Sequence, residues 1–208
     1  MLLILRWLAI GLAVAVFAGW AMLWLGPAGV THAIRSAAGL ATPGGVQVGG
    51  SFSLIDQTGK AVTDATWRGR WMLIYFGYTT CPDVCPTELQ TIVEALDSLG
   101  RQAAQVVPIF ITIDPERDTQ AHLADYVKLF DDRLVGLTGT AQQIAAVARA
   151  YRVYYAKVTP KDSATYLMDH TSFLYLMGPD GTLRALFRPG TSVQELAEAI
   201  RARLSAAS

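Results

Sequence analysis

The chain has 208 residues, 17 basic and 17 acidic, and only two of the basic residues, Arg6 and Arg35, precede Asp56. From Asp56 onward 15 basic groups face 17 acidic ones, with no basic motif or aromatic-studded groove, which excludes a nucleic-acid partner. The length sets one domain with room for an appendage.

No Asp, Glu, Lys or Arg occurs from Trp7 to Ile34. A bilayer core needs about 20 apolar residues in a helix. The run WLAIGLAVAVFAGWAMLWLG supplies them, with Trp7 and Trp24 near its ends as interfacial anchors. Residues 1–35 therefore read as one transmembrane helix with its flank. The run is longer than the roughly 7–15 apolar residues of a cleaved signal peptide, the competing reading, for which small residues around Ala28 and Ala33 offer a cleavage point. Arg6 and the N-terminal amine favour a cytoplasmic N-terminus, against Arg35 on the far side, so the globular part is expected to be exported. Two cysteines in an exported domain suit an oxidising compartment.

Residues 36–49, in the charge-free stretch SAAGLATPGGVQVGG, read as a tether, and 50–208 as the globular domain. SFSLI, the turn DQTGK and AV predict a small hairpin. WMLIYF (71–76) is a continuous apolar run of the kind found in buried central strands. A helix should begin near Cys85, where Pro86 suits a first helical position, and stop at Gly100. VVPIFITI (106–113) predicts a second buried strand, and DPERDT leads into a helix over 119–130. LVGL (134–137) predicts a short strand. Thr140 with Gln143 forms a capping box for a helix reaching Arg149. SFLYLM (172–177), GPDG and LRALF (183–187) predict a second hairpin, and Ser192 with Glu195 caps the last helix. Helices alternating with buried strands give a three-layer α/β sandwich. Two cysteines where the first central strand meets its helix make the thioredoxin-like plan the best match. The carboxyl ends of such strands are where open α/β sheets place their sites.

Cys81 and Cys85 are the only cysteines, three residues apart and each followed by proline. Pro82 and Pro86 fix two φ angles and remove two N–H donors, so the loop should be stiff. Cys85, at or just before a helix N-terminus, is placed for a thiolate, where a cysteine pKa falls from about 8.5 into the range of roughly 3.5–7.5. A structural disulfide, a redox couple, a peroxide-reactive thiol and a soft-metal site all fit this spacing. Two redox patterns fail at the residues that carry their chemistry. The spacing is C-x-x-x-C rather than C-x-x-C, and no proline precedes strand 172–177 in YLMDHT. The stretch VCPTE looks like a peroxidase site, but Tyr78 and Pro82 stand where that pattern needs Pro and Thr.

His170 occupies the place of the missing proline, in a loop that faces the cysteine loop in this fold. There it could complete an S,S,N donor set. Thiolates select Cu(I) and Zn, and imidazole accepts copper in either oxidation state. Structural zinc closes with four ligands, and no third cysteine is present. Taken by itself, His170 reads as readily as a strand-end histidine held by hydrogen bonds. His32, in the membrane-proximal stretch, and His122, on a helix far from the cysteines in sequence, read as solvated. Met168 reads as a packed methionine. Asp83 and Asp169 are candidate supporting or docking carboxylates.

These residues carry a family resemblance. GRWMLIYFGYTTCPDVCPTEL, ITIDPERDT, LVGLTGTAQQIAAVARAYRVYY and YLMDHTSFLYLMGPDG, together with SFSLIDQTGK, closely resemble the Sco/SenC family over about residues 50–204. That family comprises membrane-tethered copper-binding proteins that help assemble cytochrome c oxidase. The resemblance implies a copper site of Cys81, Cys85 and His170. It also implies a domain facing the periplasm from the bacterial inner membrane, or the intermembrane space from the mitochondrial inner membrane. The implied function is delivery of copper to the CuA centre of cytochrome c oxidase subunit II, without enzymatic turnover, with an upstream copper donor and a thiol reductant as further partners. The alternative is a thiol–disulfide reductase that keeps that centre's cysteines reduced, using a redox-active Cys81–Cys85 disulfide. Thr80 departs from a position where the family often has a bulkier side chain, and AKVTPKDSAT is less acidic than in some relatives.

Overall fold

The structure is a computed structural model that describes residues 47–161 and 165–206. The expected anchor, His32 and most of the tether lie outside the described residues. Among those described, no helix is long and apolar enough to cross a membrane.

In chain order the elements are β1 (Ser53–Asp56), β2 (Ala61–Thr63), β3 (Trp71–Gly77), α1 (Val84–Leu99), β4 (Val106–Thr112), α2 (Gln120–Lys128), β5 (Val135–Thr138), α3 (Ala141–Ala150), β6 (Tyr155–Val158), β7 (Leu167–His170), β8 (Leu174–Met177), β9 (Leu183–Phe187) and α4 (Val193–Ala206). Seven strands form one sheet in the order β2-β1-β5-β4-β3-β8-β9, while β6 and β7 pair only with each other. The two apolar runs are its centre: every residue of β3 and β4 is buried, and they pair in parallel from Trp71↔Val106 to Gly77↔Thr112. Pro108 is tolerated inside β4 because pairing with β5 begins only at Ile109, so one flank of the strand is open beside it. The N-terminal hairpin joins the same sheet, β1 running antiparallel to β5.

Which helix covers which face follows from side-chain alternation. A Cβ at Gly136 of β5 would meet Leu123 and Val127 of α2. Phe110, paired with Gly136, packs on Tyr126 of α2 and stacks with Tyr75 of β3. The Tyr75 hydroxyl in turn reaches Cys85 of α1. Thus α1 and α2 share one face, and α4 packs against α1. Right-handed crossovers from β3 to β4 and from β4 to β5, advancing in one direction across the sheet, require the first two to lie together. On the opposite face Phe76, Tyr175 and Tyr151, the residue that ends α3, pack ring against ring at 5.4–5.7 Å. This is the thioredoxin-like three-layer plan.

The helix ends obey the local signals. Gly100 ends α1 at φ 56°, a left-handed conformation that glycine adopts without a Cβ clash. Thr140 and Gln143 exchange both bonds of the capping box, as do Ser192 and Glu195. Two boundaries differ from expectation. Helix α1 starts at Val84, which puts Pro86 third rather than first. A proline is harmless there, because the first four helical N–H groups lack intrahelical partners. Helix α2 is shorter than 119–130, with Thr119 as its N-cap, accepting from the His122 amide, and Leu129 as its C-cap.

Candidate metal centre

The two cysteines sit on the junction between β3 and α1, at the carboxyl end of the central strand. Cys81 lies in the loop and Cys85 is the second residue of α1. Both are free thiols. Cys85 has no exposed surface and Cys81 keeps 9%. The Cys85 amide donates to Cys81 Sγ at 3.4 Å, so the sulfur of Cys81 accepts one of the orphan donors at the helix N-terminus. The expectation that Cys85 is the thiolate is thereby reversed. Bonds from the Cys85 thiol and from the amides of Asp83 and Cys85 outweigh burial and hold the Cys81 thiol well below the ordinary cysteine range. Donation to Cys81 and burial push the Cys85 thiol up. Being in the first turn favours a thiolate only if the sulfur faces the free amides, and Cys85 turns into the core.

The core leaves little room around it. A Cβ at Gly77 would stand 2.9 Å from Cys85 Sγ, 2.9 Å from Phe110 and 3.0 Å from Tyr75. Tyr75 donates its hydroxyl to Cys85 Sγ at 3.6 Å.

His170 ends β7, in a hairpin where the sequence predicts only a connection. YAKV and LMDH pair as β6 and β7, Tyr155 opposite His170 and Val158 opposite Leu167. His170 Nε2 stands 3.5 Å from Cys85 Sγ. On the other side of the ring Nδ1 is 3.1 Å from the Thr171 carbonyl, an oxygen that can only accept. The proton therefore belongs on Nδ1, leaving the Nε2 lone pair aimed at the sulfur. Tyr78 packs edge to ring on the imidazole at 5.9 Å and Tyr75 at 6.3 Å.

Bonds of about 2.3 Å to sulfur and about 2.0 Å to nitrogen, about 110–120° apart at a metal, place the two donors roughly 3.5–3.7 Å from each other. The Cys85–His170 spacing fits that range. Among the described residues no three His, Cys, Asp or Glu side chains already form a metal cage; the sulfurs and the imidazole instead close on one another. Cys81, Asp83, Asp169 and His170 line one open groove of about 540 Å³, with Tyr78, Val84, Val158, Leu167 and Met168 as its apolar walls. Both carboxylates are exposed at that groove, and Met168 is buried.

His122 is nearer the site than its position in the sequence suggests. Its Nε2 lies 3.5 Å from Thr79 Oγ1, two residues before Cys81, and its Nδ1 lies 3.3 Å from the Arg117 carbonyl. It is also exposed, as the sequence leads one to expect.

The fold and this cluster define a thioredoxin-like α/β domain in which an imidazole faces a buried dithiol. A family model described as SCO1/SenC matches residues 41–205. The mitochondrial human protein SCO1 homolog is 46% identical over 155 residues, which cover 74% of this chain and 52% of that protein. The chain thus spans about half the length of that relative. A structure of ScoI from Arabidopsis thaliana with copper bound is 41% identical and superposes with a TM-score of 0.73, covering 76% of this chain and 99% of that one. ScoI from Bradyrhizobium japonicum with copper bound is 47% identical with a TM-score of 0.69, covering 74% and 98%. The chain belongs to the SCO1/SenC family.

Proposed function

We propose that this protein binds copper through Cys81, Cys85 and His170 and delivers it to the CuA centre of cytochrome c oxidase subunit II. The observation that carries the reading is the apposition of His170 Nε2 and Cys85 Sγ at 3.5 Å with Nδ1 tied to a carbonyl. Thiol exchange needs only the cysteine pair; an imidazole with its lone pair turned to the sulfurs serves metal binding. Copper is the cargo, since two thiolates and an imidazole form a soft set suited to Cu(I) that also admits Cu(II). The copper-bound relatives support this choice. The groove in front of the cluster, walled by apolar side chains with Asp83 and Asp169 at its rim, is the face offered to the copper donor and acceptor.

In the same reading residues 1–35 anchor the protein in the membrane, 36–49 tether it, and 50–208 form the copper-binding domain. The domain faces the periplasm, or the intermembrane space in a mitochondrion. The uncharged run from Trp7 to Ile34 supports the anchor.

Copper titration of the purified domain, first reduced and then oxidised, tests the ligand set. A Cys81–Cys85 disulfide consumes both thiolates, so the reduced domain takes up one copper and the oxidised domain essentially none. Equal stoichiometry in the two states rejects it.

The second reading, a thiol–disulfide reductase acting on the cysteines of the oxidase copper site, is favoured by one observation. Cys81 Sγ accepts the Cys85 amide at 3.4 Å, which holds its thiol low, and it keeps some exposure, as an attacking thiolate requires. Oxidase maturation by His170→Ala at limiting copper separates the two: full activity with copper binding lost selects the reductase.

A further inference from the structure

The hairpin that carries His170 pairs with no strand of the main sheet, which leaves side-chain bonds to help fix the spacing between imidazole and cysteines. One loop, Asp114–Asp118, touches both halves of the site. Asp118 has no exposed surface. Its carboxylate accepts the Thr79 hydroxyl at 2.6 Å, the Thr79 amide at 3.0 Å and the Thr112 hydroxyl at 2.6 Å. Its own carbonyl accepts from the Thr138 hydroxyl at 2.9 Å. These bonds tie the segment just before Cys81 to the ends of β4 and β5.

The other end of the loop holds the hairpin. Asp114, 1% exposed, accepts the Tyr166 hydroxyl on one oxygen at 2.9 Å and Arg117 Nε on the other. Arg117 Nη1 donates to the Tyr166 carbonyl at 3.0 Å. The guanidinium also lies 3.8 Å over the Tyr166 ring and 5.7 Å from the centre of the Tyr78 ring, which itself packs on His170. Tyr166 immediately precedes β7. A planar fork that binds a carboxylate, a carbonyl and two aromatic faces cannot be replaced by a lysine.

We propose that the Asp114–Asp118 loop is a positioning bracket in which Asp118, through Thr79, places the cysteine loop while Asp114 and Arg117, through Tyr166, place His170 against Cys85. This rests on the reading of His170 as a metal ligand. None of the bracket residues belongs to the proposed ligand set. Each acts by limiting where a ligand can stand, as hydrogen-bonded partners of ligands do.

The test compares the parent domain with Arg117→Gln, Arg117→Lys, Tyr166→Phe, Thr79→Val and Thr79→Ser, each confirmed as folded by circular dichroism. The probe is Cu(II) alone, read by nitrogen couplings in electron paramagnetic resonance and by affinity. His170 is also followed without metal, through its imidazole nitrogen resonances. Arg117→Gln should lower Cu(II) affinity by about 10–100-fold, shift the spectrum towards that of His170→Ala and move the metal-free His170 resonances. Arg117→Lys should not rescue it. Tyr166→Phe, which deletes one hydroxyl bond and keeps the ring, should lower affinity by about 2–10-fold and decides the matter if the Arg117 variants do not fold. Thr79→Val should weaken copper binding with the His170 resonances in place, and Thr79→Ser should restore it. Folded variants of Arg117 and Tyr166 with the parent's spectrum, affinity and His170 resonances overturn the bracket. A parent that binds Cu(II) indistinguishably from His170→Ala overturns the ligand reading instead.

Discussion

His170 Nε2 and Cys85 Sγ face each other at 3.5 Å, although 85 positions separate them in the chain. One lies at the end of a two-stranded hairpin and the other in the first turn of a helix on the main sheet. Replacing His170 with Ala removes the only nitrogen donor of the proposed set and leaves both sulfurs in their loop. Two thiolates still hold Cu(I), whereas Cu(II) prefers nitrogen and oxygen donors in tetragonal geometry. We predict that His170→Ala loses at least about tenfold more affinity for Cu(II) than for Cu(I), a difference of about 1.4 kcal/mol, and still forms the disulfide. Competition titrations with chelators for each oxidation state measure both losses; equal retention of both removes His170 from the ligand set.

The cysteines should differ sharply as nucleophiles. The Cys85 amide donates to Cys81 Sγ, and this bond with the neighbouring Cys85 thiol holds Cys81 low, while Cys85 is fully buried and pushed up. In the reduced, metal-free domain we predict that iodoacetamide alkylates Cys81 first, at a rate that falls less steeply below pH 8 than that of an ordinary thiol. Peptide mass spectrometry of the quenched reaction reports the order. Faster modification of Cys85 would show that the helix amides do not act on Cys81.

Gly77 keeps space for Cys85. A methyl group there meets Cys85 Sγ and Phe110 at 2.9 Å and Tyr75 at 3.0 Å, closer than carbon normally approaches. Because β3 and β4 are buried along their whole length, the backbone has little freedom to yield. Gly77→Ala should destabilise the domain by about 1–3 kcal/mol and weaken copper binding by displacing Cys85. Urea unfolding, with the slope checked for constancy, gives the first value and the copper titration the second.

Glu88 lies one turn beyond Cys85, with 3% of its surface exposed. The Gly190 amide donates to Oε1 at 2.9 Å, and Oε2 has no partner among the described residues. Burial raises its pKa, against the bond from Gly190. An acid whose folded pKa lies above its unfolded value binds more protons when folded, so stability falls as pH rises from the unfolded carboxyl value through the folded one. Glu88→Gln keeps an acceptor for Gly190 and removes the charge. It should raise the Tm at pH 8 and leave it nearly unchanged at pH 4; a lower Tm at pH 8 would falsify this account of Glu88.

What the sequence determined by itself was local or periodic. WMLIYF and VVPIFITI are the apolar runs expected of central strands, and Gly100, Thr140 with Gln143 and Ser192 with Glu195 bound their helices through bonds to near neighbours. The spacing of Cys81 and Cys85 at a strand–helix junction, with His170 before a late strand, was legible because each motif is short and its residue types are scarce. Tertiary packing decided the rest. Which sulfur faces the helix amides depends on the rotation of α1 against Tyr75 and Phe110, which no three-residue spacing encodes. The β6–β7 hairpin is four residues to a strand and belongs to no larger sheet, so its alternation is weak against a background of turns. Asp118 and Arg117 looked like polar residues leading into a helix. They became the link between the cysteine loop and the His170 hairpin only because the loop after β4 folds back over Thr79 and Tyr166. Such contacts join residues tens of positions apart, and their free energy comes from burial and mutual hydrogen bonding that exist only once the sheet has formed.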